Sequence, residues 1–395
     1  MCKQHFYVIG LSDEQTLYFH PDVNKIISEG RVFSGGVRHR EIVSPLLPVN
    51  AKWIDITVPL DKVFSEYEGI PEVVVFASGD PLFFGFANTI RKRLPQADVT
   101  VYPTFNSLQM LAHRMLLPYQ DMKTVSLTGR AWDSFDCSLI KGDKVIGVLT
   151  DRHKTPSLIA SRMLEYGYDN YRMTVGEMLG NRDKERVRSF SLPDAANAEF
   201  TFPNCIILEQ IAERPHPFGI PESEFHLLDG RVNMITKSPI RLLTLSMLDL
   251  PNKQSFWDVG FCTGSVSIEA KLQFPHLQVN SFEQRAEGQE LMEKNSRKFG
   301  TPDISIHIGD FLQTDISKLP QPDAVFIGGH GGKLKEILNK IKHVIRPNGV
   351  IVFNAVSKKS RELFLEGIKE IDFSITKQLH VAIDSFNPID IMKAE

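Results

Sequence analysis

The 395-residue sequence predicts an α/β protein of two domains joined by a short linker. Three observations carry that reading. Apolar, β-rich runs alternate with helical patterns on both sides of one proline-rich stretch. Two of the runs, "FYVIGLSDE" (Phe6–Glu14) and "SFWDVGFCTGSVSIEA" (Ser255–Ala270), end in a glycine turn, as ligand-binding α/β domains often begin. At roughly 100–200 residues per domain, the length accommodates two or three domains.

Before the linker, strands are expected at 72–80, 97–103, 124–130, 144–151 and 205–210, the first four closed by Gly, Pro, Ser or Asp turns. The linker is "IAERPHPFGIPESE" (211–224), because Pro215, Pro217, Gly219 and Pro221 cannot share a helix or a central strand. This divides the chain into domains 1–210 and 225–395. In the second, strands are expected at 255–260, 277–283, 304–310, 323–329 and 349–356. A helix carrying Leu334, Ile337, Leu338, Ile341, Val344 and Ile345 on one face lies between the last two. Repeated βα units imply a parallel sheet covered by helices. The tail, "FSITKQLHVAI" then "DIMKA", has no intervening helix and predicts an antiparallel edge hairpin.

A formal net charge of −3 gives no electrostatic reason to expect nucleic-acid binding. Cys2, Cys137, Cys205 and Cys262 form no CxxC pair, which points to reduced thiols in a cytoplasm rather than a disulfide framework or a metal site. No apolar run reaches the roughly 18 residues a membrane span needs. "MCKQHFYVIG" runs straight into a strand without the pattern of a signal peptide. The expectation is a soluble, cytoplasmic protein.

The late glycine turn has chemistry of its own. Gly260 ends a strand and Gly264 opens a helix, so backbone can approach a ligand and helix N–H groups point at it. The spacing Gly260, Phe261, Cys262, Thr263, Gly264 is not the dinucleotide fingerprint. Glu283 ends the second strand, where a carboxylate can grip a ribose diol, and Asp310 ends the third. Turn, acid and acid at successive strand ends resemble the S-adenosylmethionine-binding methyltransferases. In the first half, "ASGDP" (77–81) breaks off an apolar strand; Gly79 permits the sharp turn, and Asp80 can accept backbone or ligand hydrogen bonds. By chemistry alone it is a turn motif.

More of the chain carries a resemblance. "SGGVRHR" (34–40), "FASGDPLFFGFANTI" (76–90), "SLTGR" (126–130), "VLTDRHKTP" (148–156) and "VGEMLG" (175–180) resemble the CbiE-type methyltransferases of corrin-ring synthesis. "GIPESEF" (219–225), "MITKSPIRLLTLS" (234–246), "FWDVGFCTGSVSIEA" (256–270), "DAVFIGGHGGKLKEIL" (323–338) and "FNAV" (353–356) resemble the CbiT type. Together they cover nearly the whole chain and look like the fused, decarboxylating corrin methyltransferases. The resemblance implies a tetrapyrrole-methylase fold of two α/β lobes, then a Rossmann-like methyltransferase domain, with one S-adenosylmethionine in each. It implies methylation of a precorrin or cobalt-precorrin ring at carbons 5 and 15, with decarboxylation of the acetate at carbon 12. Gly10, Gly79, Asp80, Ser107, Thr128 and Gly129 would line the first cofactor site. Thr236, Gly260, Phe261, Cys262, Thr263, Gly264, Glu283, Asp310 and Phe311 would line the second. Gly329 and His330, in the "GGHGG" loop, would border the ring. Relatives of both halves self-associate, which implies a homo-oligomer.

The chain departs from the family at three places. Gly10, Leu11, Ser12, Asp13 keep only the first glycine of the usual G-x-G-P-G turn. Cys262 stands where a glycine is usual, and a buried inert thiol is the plain reading there. His330 replaces a serine. For substrate carboxylates the basic candidates are Arg38, in a loop with His39 and Arg40, and Lys237 with Arg241, four apart on one helix face. No HExxH, G-x-S-x-G or CxxC motif is present, so positioning rather than a catalytic dyad is expected to do the chemistry. Two other readings are a methyltransferase for RNA or protein, and a chain in which one domain is a non-catalytic scaffold.

Overall fold

The computed structural model describes residues 3–12, 19–231, 233–383 and 387–395. Asp13 and Glu14, at the end of the first expected turn, lie outside them. By its contacts the chain divides into two units. The first holds Met1–Arg130, Lys144–Ser161 and Tyr171–Ile211, and the second holds Ala131–Asp143, Arg162–Asn170 and Ala212–Glu395. Two short segments from before residue 211 therefore group with the second unit, where the sequence suggested one break. Among the described residues no helix is long and apolar enough to cross a membrane.

The first unit has two five-stranded sheets. One is built from β1 (His5–Leu11), β2 (Val32–Gly35), β3 (Lys52–Asp55), β4 (Glu72–Ser78) and β5 (Asp98–Tyr102), in the order β3-β2-β4-β1-β5, with every pairing parallel. Val73 to Ala77 are all buried, the continuous apolar run expected of a parallel strand covered on both faces. Val63, Phe64 and Tyr67 of the helix Leu60–Tyr67 pack on one face with Ala87 and Ile90; Val23 and Ile27 pack on the other.

The second sheet is mixed. It comprises β6 (Lys123–Ser126), β7 (Val145–Leu149), β8 (Tyr171–Glu177), β9 (Arg186–Ser191) and β10 (Asn204–Gln210), in the order β6-β7-β10-β8-β9. Only β6 and β7 run parallel. The sequence reading missed β8 and β9. The outermost strand, "RVRSFS", is an antiparallel edge with no buried residue, so it lacks the apolar run that marks the others.

The second unit has one seven-stranded sheet. Its strands are β11 (Ser255–Val259), β12 (Gln278–Glu283), β13 (Ile304–Ile308), β14 (Ala324–Ile327), β15 (Val350–Ala355), β16 (Ile375–Val381) and β17 (Ile389–Ala394), in the order β13-β12-β11-β14-β15-β17-β16. The expected antiparallel hairpin is there, with β17 paired to β15 and β16 at the edge. The helix Leu334–Lys342 buries Leu334, Ile337, Leu338 and Ile341; Val344 and Ile345 follow its end and pack against the same core. Strand order reverses between β11 and β14, so the loops leaving their carboxyl ends diverge and open a crevice.

Arg241 corrects one expectation. It does not share an exposed face with Lys237; its side chain is wholly buried beside that of Glu269. Arg241 Nε donates to Glu269 at 2.6 Å, and its Nη atoms donate to the carbonyls of Thr236, at 2.8 Å, and Ile220. Glu269 also accepts from the Gly219 N–H. The pair ties the helices Ser238–Met247 and Ser265–Gln273 to the proline-rich segment, and its complete burial keeps the guanidinium away from the surface. Removing one partner strands a buried charge. Arg241→Met should therefore cost about 3–5 kcal/mol in urea denaturation, and the double variant Arg241→Met/Glu269→Leu should recover most of it. A single variant as stable as the parent would show that the pair holds nothing together.

Candidate functional site

Each unit contains a cavity at the carboxyl ends of its strands. In the second unit it measures about 880 Å³ and is lined by residues from the β11 turn, the ends of β12 and β13, and the loop after β14. Its floor is a backbone contact. Gly260 has φ +80°, and a Cβ there would lie 2.5 Å from the Gly329 nitrogen, so the β11 turn tolerates no side chain at the point where it meets the loop after β14.

Glu283, 4 % exposed, anchors the turn from below. Its carboxylate accepts the N–H of Cys262 at 2.9 Å, the N–H of Arg285 at 3.1 Å and an Nη donor of Arg285 at 3.2 Å. A carboxylate offers about four acceptor positions, so capacity remains for a ligand. Asp310 caps the Leu312 N–H at 3.0 Å and pairs with Lys333 at 2.7 Å, which holds its carboxyl below the usual range. Cys262 adopts φ +52°, and burial, then the Glu283 charge, raise its thiol pKa, so it stays protonated.

Thr236, Lys237, Gly260, Phe261, Cys262, Glu283, Asp310, Phe311, Gly329 and His330 all line this cavity. Thr263 and Gly264 do not; Thr263 is buried and Gly264 precedes the helix. Arg241 is absent for the reason given above. His330 accepts the Gly332 N–H on Nδ1 at 3.1 Å, which leaves Nε2 protonated, and burial lowers its pKa, so the ring is a neutral donor.

A buried acid was also missed. Asp258 lies wholly buried in the cavity wall, with Oδ2 accepting from Ser267 at 2.6 Å and Oδ1 without a partner. The signal was available as an acid inside the buried run "SFWDV". Burial pushes its pKa up to about 7. An unpartnered carboxylate oxygen beside a backbone cradle suits a cationic amine, and so fits an amino-acid-bearing cofactor.

The first unit's cavity is about 850 Å³. It has the same kind of floor: a Cβ on Gly10 would overlap the Gly79 carbonyl, and one on Gly79, at φ +61°, would lie 2.9 Å from the Asn106 Cα. Gly79, Ser107, Thr128 and Arg38 line it; Gly10 supports it from behind. Asp80 and Gly129 do not reach the wall. The Asp80 carboxylate accepts the Leu82 N–H at 2.8 Å within its own turn, and the Gly129 N–H donates at 2.9 Å to Asp151 in the loop after β7. The expected basic loop is a helix, Val37–Val43. Within it His39 bonds Ser78 at 2.9 Å, and burial, then Arg38, lower its pKa to about 4, so it brings no charge. The aromatic wall of Phe83, Phe84, Phe105 and Phe202, and the cations Arg130 and Arg152, were not foreseen.

Two family models match the chain. One, described as a precorrin methyltransferase domain, covers residues 227–392; the other, tetrapyrrole (corrin/porphyrin) methylases, covers 59–196. A Sinorhizobium precorrin-6Y C(5,15)-methyltransferase [decarboxylating] is 29% identical over 363 residues, 91% of this chain and 86% of that protein. A Salmonella typhimurium cobalt-precorrin-6B C(15)-methyltransferase (decarboxylating) is 33% identical over 162 residues, 41% of this chain and 83% of that one. A solved structure of a precorrin-6Y C5,15-methyltransferase from Geobacter metallireducens is 30% identical, covers 46% of this chain and 99% of its own, and has a TM-score of 0.42.

The buried acid supplies a pH signature. Because the Asp258 pKa is raised in the folded protein, its protonated form favours folding, and that contribution is lost as pH rises from about 4 to about 7. Asp258→Asn should therefore gain stability relative to the parent over that window, read by urea denaturation at pH 4.5 and pH 7.5. Parallel pH profiles would show that the carboxyl ionises as freely folded as unfolded.

Proposed function

This chain belongs to the precorrin methyltransferase family, and we propose that it methylates a reduced tetrapyrrole at two carbons and decarboxylates one acetate, with one S-adenosylmethionine site in each unit. The observation that carries the two-site reading is that each unit owns a cavity of similar size, built on a backbone cradle with no space for a Cβ. S-adenosylmethionine supplies an electrophilic methyl group, so the chain's task is to orient donor and ring and to exclude water.

In the second cavity, Glu283 would accept the ribose hydroxyls and Asp258 Oδ1 would take the ammonium. The Asp310–Phe311 corner would border the base. Lys237 and the His330 Nε2–H would meet ring carboxylates. In the first cavity, the backbone at Gly79 and the hydroxyls of Ser107 and Thr128 would hold the donor, with the phenylalanines keeping water out. Decarboxylation breaks the bond between the acetate methylene and its carboxylate. The electron pair passes into the conjugated ring, and a proton ends on the methylene carbon, so no dedicated nucleophile is needed. We assign carbon 5 to the first unit, and carbon 15 with the carbon 12 acetate to the second.

The test uses the full chain, the ring substrate and isotope-labelled methyl donor. Product mass should show two labelled methyl groups and loss of one carbon dioxide. Gly260→Ala, which forces a Cβ onto Gly329, should yield a ring with one label and its carboxyl intact. Carbon dioxide release undiminished in that variant would move decarboxylation out of the second cavity.

A further inference from the structure

The first cavity contains two cations that the cofactor reading does not use. Arg130 follows β6 and Arg152 follows β7, two parallel neighbours paired through Ser126 and Leu149, so both residues leave the same edge of the sheet. Their loops are bonded together. Thr128 Oγ1 donates to the Thr150 carbonyl at 3.0 Å, and the Asp151 carboxylate accepts the N–H groups of Gly129, His153 and Lys154 at 2.6–2.9 Å. The Asp151 carboxylate, next to Arg152 in the chain, thus serves backbone donors, and neither guanidinium pairs with a carboxylate among the described residues.

Each arginine instead sits against an aromatic ring. Arg130 Cζ is 5.3 Å from the centroid of Phe84, and Arg152 Cζ is 5.1 Å from that of Phe202. Phe84 is 41% exposed and Phe202 44%, and all four side chains line the cavity. Stacking on a ring face restrains a guanidinium while its N–H edge remains able to meet a carboxylate in bidentate fashion. Exposed aromatic surface in the same wall suits a flat conjugated ligand. Arg38 adds a third cation, and among the described residues Glu41 is the only carboxylate side chain lining this cavity.

We propose that Arg130 and Arg152, each braced by its phenylalanine, are specificity-determining residues of the first unit, reading the peripheral carboxylates of a flat macrocycle. This rests on the two-site reading above. Ring binding would use the rigid loop pair as a fixed ruler for two carboxylates, and the phenylalanine faces as its apolar floor.

The test is steady-state methylation at carbon 5 by the full-length protein, with calorimetric binding of S-adenosylhomocysteine alongside. Arg130→Gln and Arg152→Gln should each raise the KM for the ring about tenfold, the loss of one charge-assisted contact. Their affinity for S-adenosylhomocysteine should match the parent's. Arg→Lys at either position should recover only part of the loss, since an ammonium keeps the charge but not the fork. An unchanged KM for the ring in both Gln variants, whose folding is checked by that same donor binding, overturns the proposal. So does an equal loss of donor affinity, which would place the arginines on the donor's own carboxylate. If the unsubstituted protein transfers no methyl group to carbon 5, the two-site reading itself fails, an outcome distinct from either of these.

Discussion

The second unit depends on a backbone approach that permits no side chain. β11 and β14 are parallel neighbours whose chains leave in opposite directions, and their turns touch where Gly260 meets Gly329. That contact makes the crevice narrow at its floor and open above, so backbone atoms rather than side chains face whatever enters. Everything polar at the site is arranged around it. Glu283 holds the turn from below through the Cys262 N–H, and Asp258 stands behind it with one oxygen unmatched. The first unit repeats the device on a different sheet, with Gly10 pressed against Gly79 across β1 and β4. Two unrelated topologies thus reach one solution, a cradle at parallel strand ends.

Charge is distributed in two ways. Where an ion pair is fully buried, as with Arg241 and Glu269, it joins segments distant in sequence and is unavailable to ligands. Such a pair contributes less to stability than to keeping the segments in place, because desolvation offsets most of the attraction. Near the cavities the cations remain partly exposed: Arg285 and Lys333 pair with acids at the rim, whereas Arg130 and Arg152 rest on aromatic rings. A ligand rich in carboxylates would meet these before the buried groups.

Most parallel strands and the terminal hairpin were legible because their signals are local, whereas β2 and β3, four residues each, were too short to be read. Buried parallel strands read as unbroken apolar runs such as "EVVVFAS", and the helix at Leu334 repeats its apolar face every turn. The second cavity was legible for a related reason: the glycine turn, Glu283 and Asp310 all stand at strand ends that the alternation locates. What escaped was decided by contacts across the chain. Arg241 looked like a surface cation at helical spacing from Lys237, and only its encounter with Glu269, distant in sequence, buries it. Asp80 and Gly129 look like ligand groups, but both stand outside the residues that line the cavity, Asp80 capping the Leu82 N–H and Gly129 tied to Asp151 of the loop after β7. Strand β9 was missed because an antiparallel edge strand carries polar residues on its solvent face; β8 is an interior, mostly buried strand whose run Arg172 and Thr174 interrupt.

The central claim is that one chain holds two independent methyl-donor sites, and calorimetric titration of the full-length protein with S-adenosylhomocysteine tests it most directly. The expected stoichiometry is two per chain. In Glu283→Ala one site should weaken by roughly 1.5–3 kcal/mol, about ten- to a hundredfold, with the loss of hydrogen bonds to a charged acceptor, while the other keeps its affinity. A stoichiometry of one in the parent protein, or a variant in which both sites weaken together, would contradict the account.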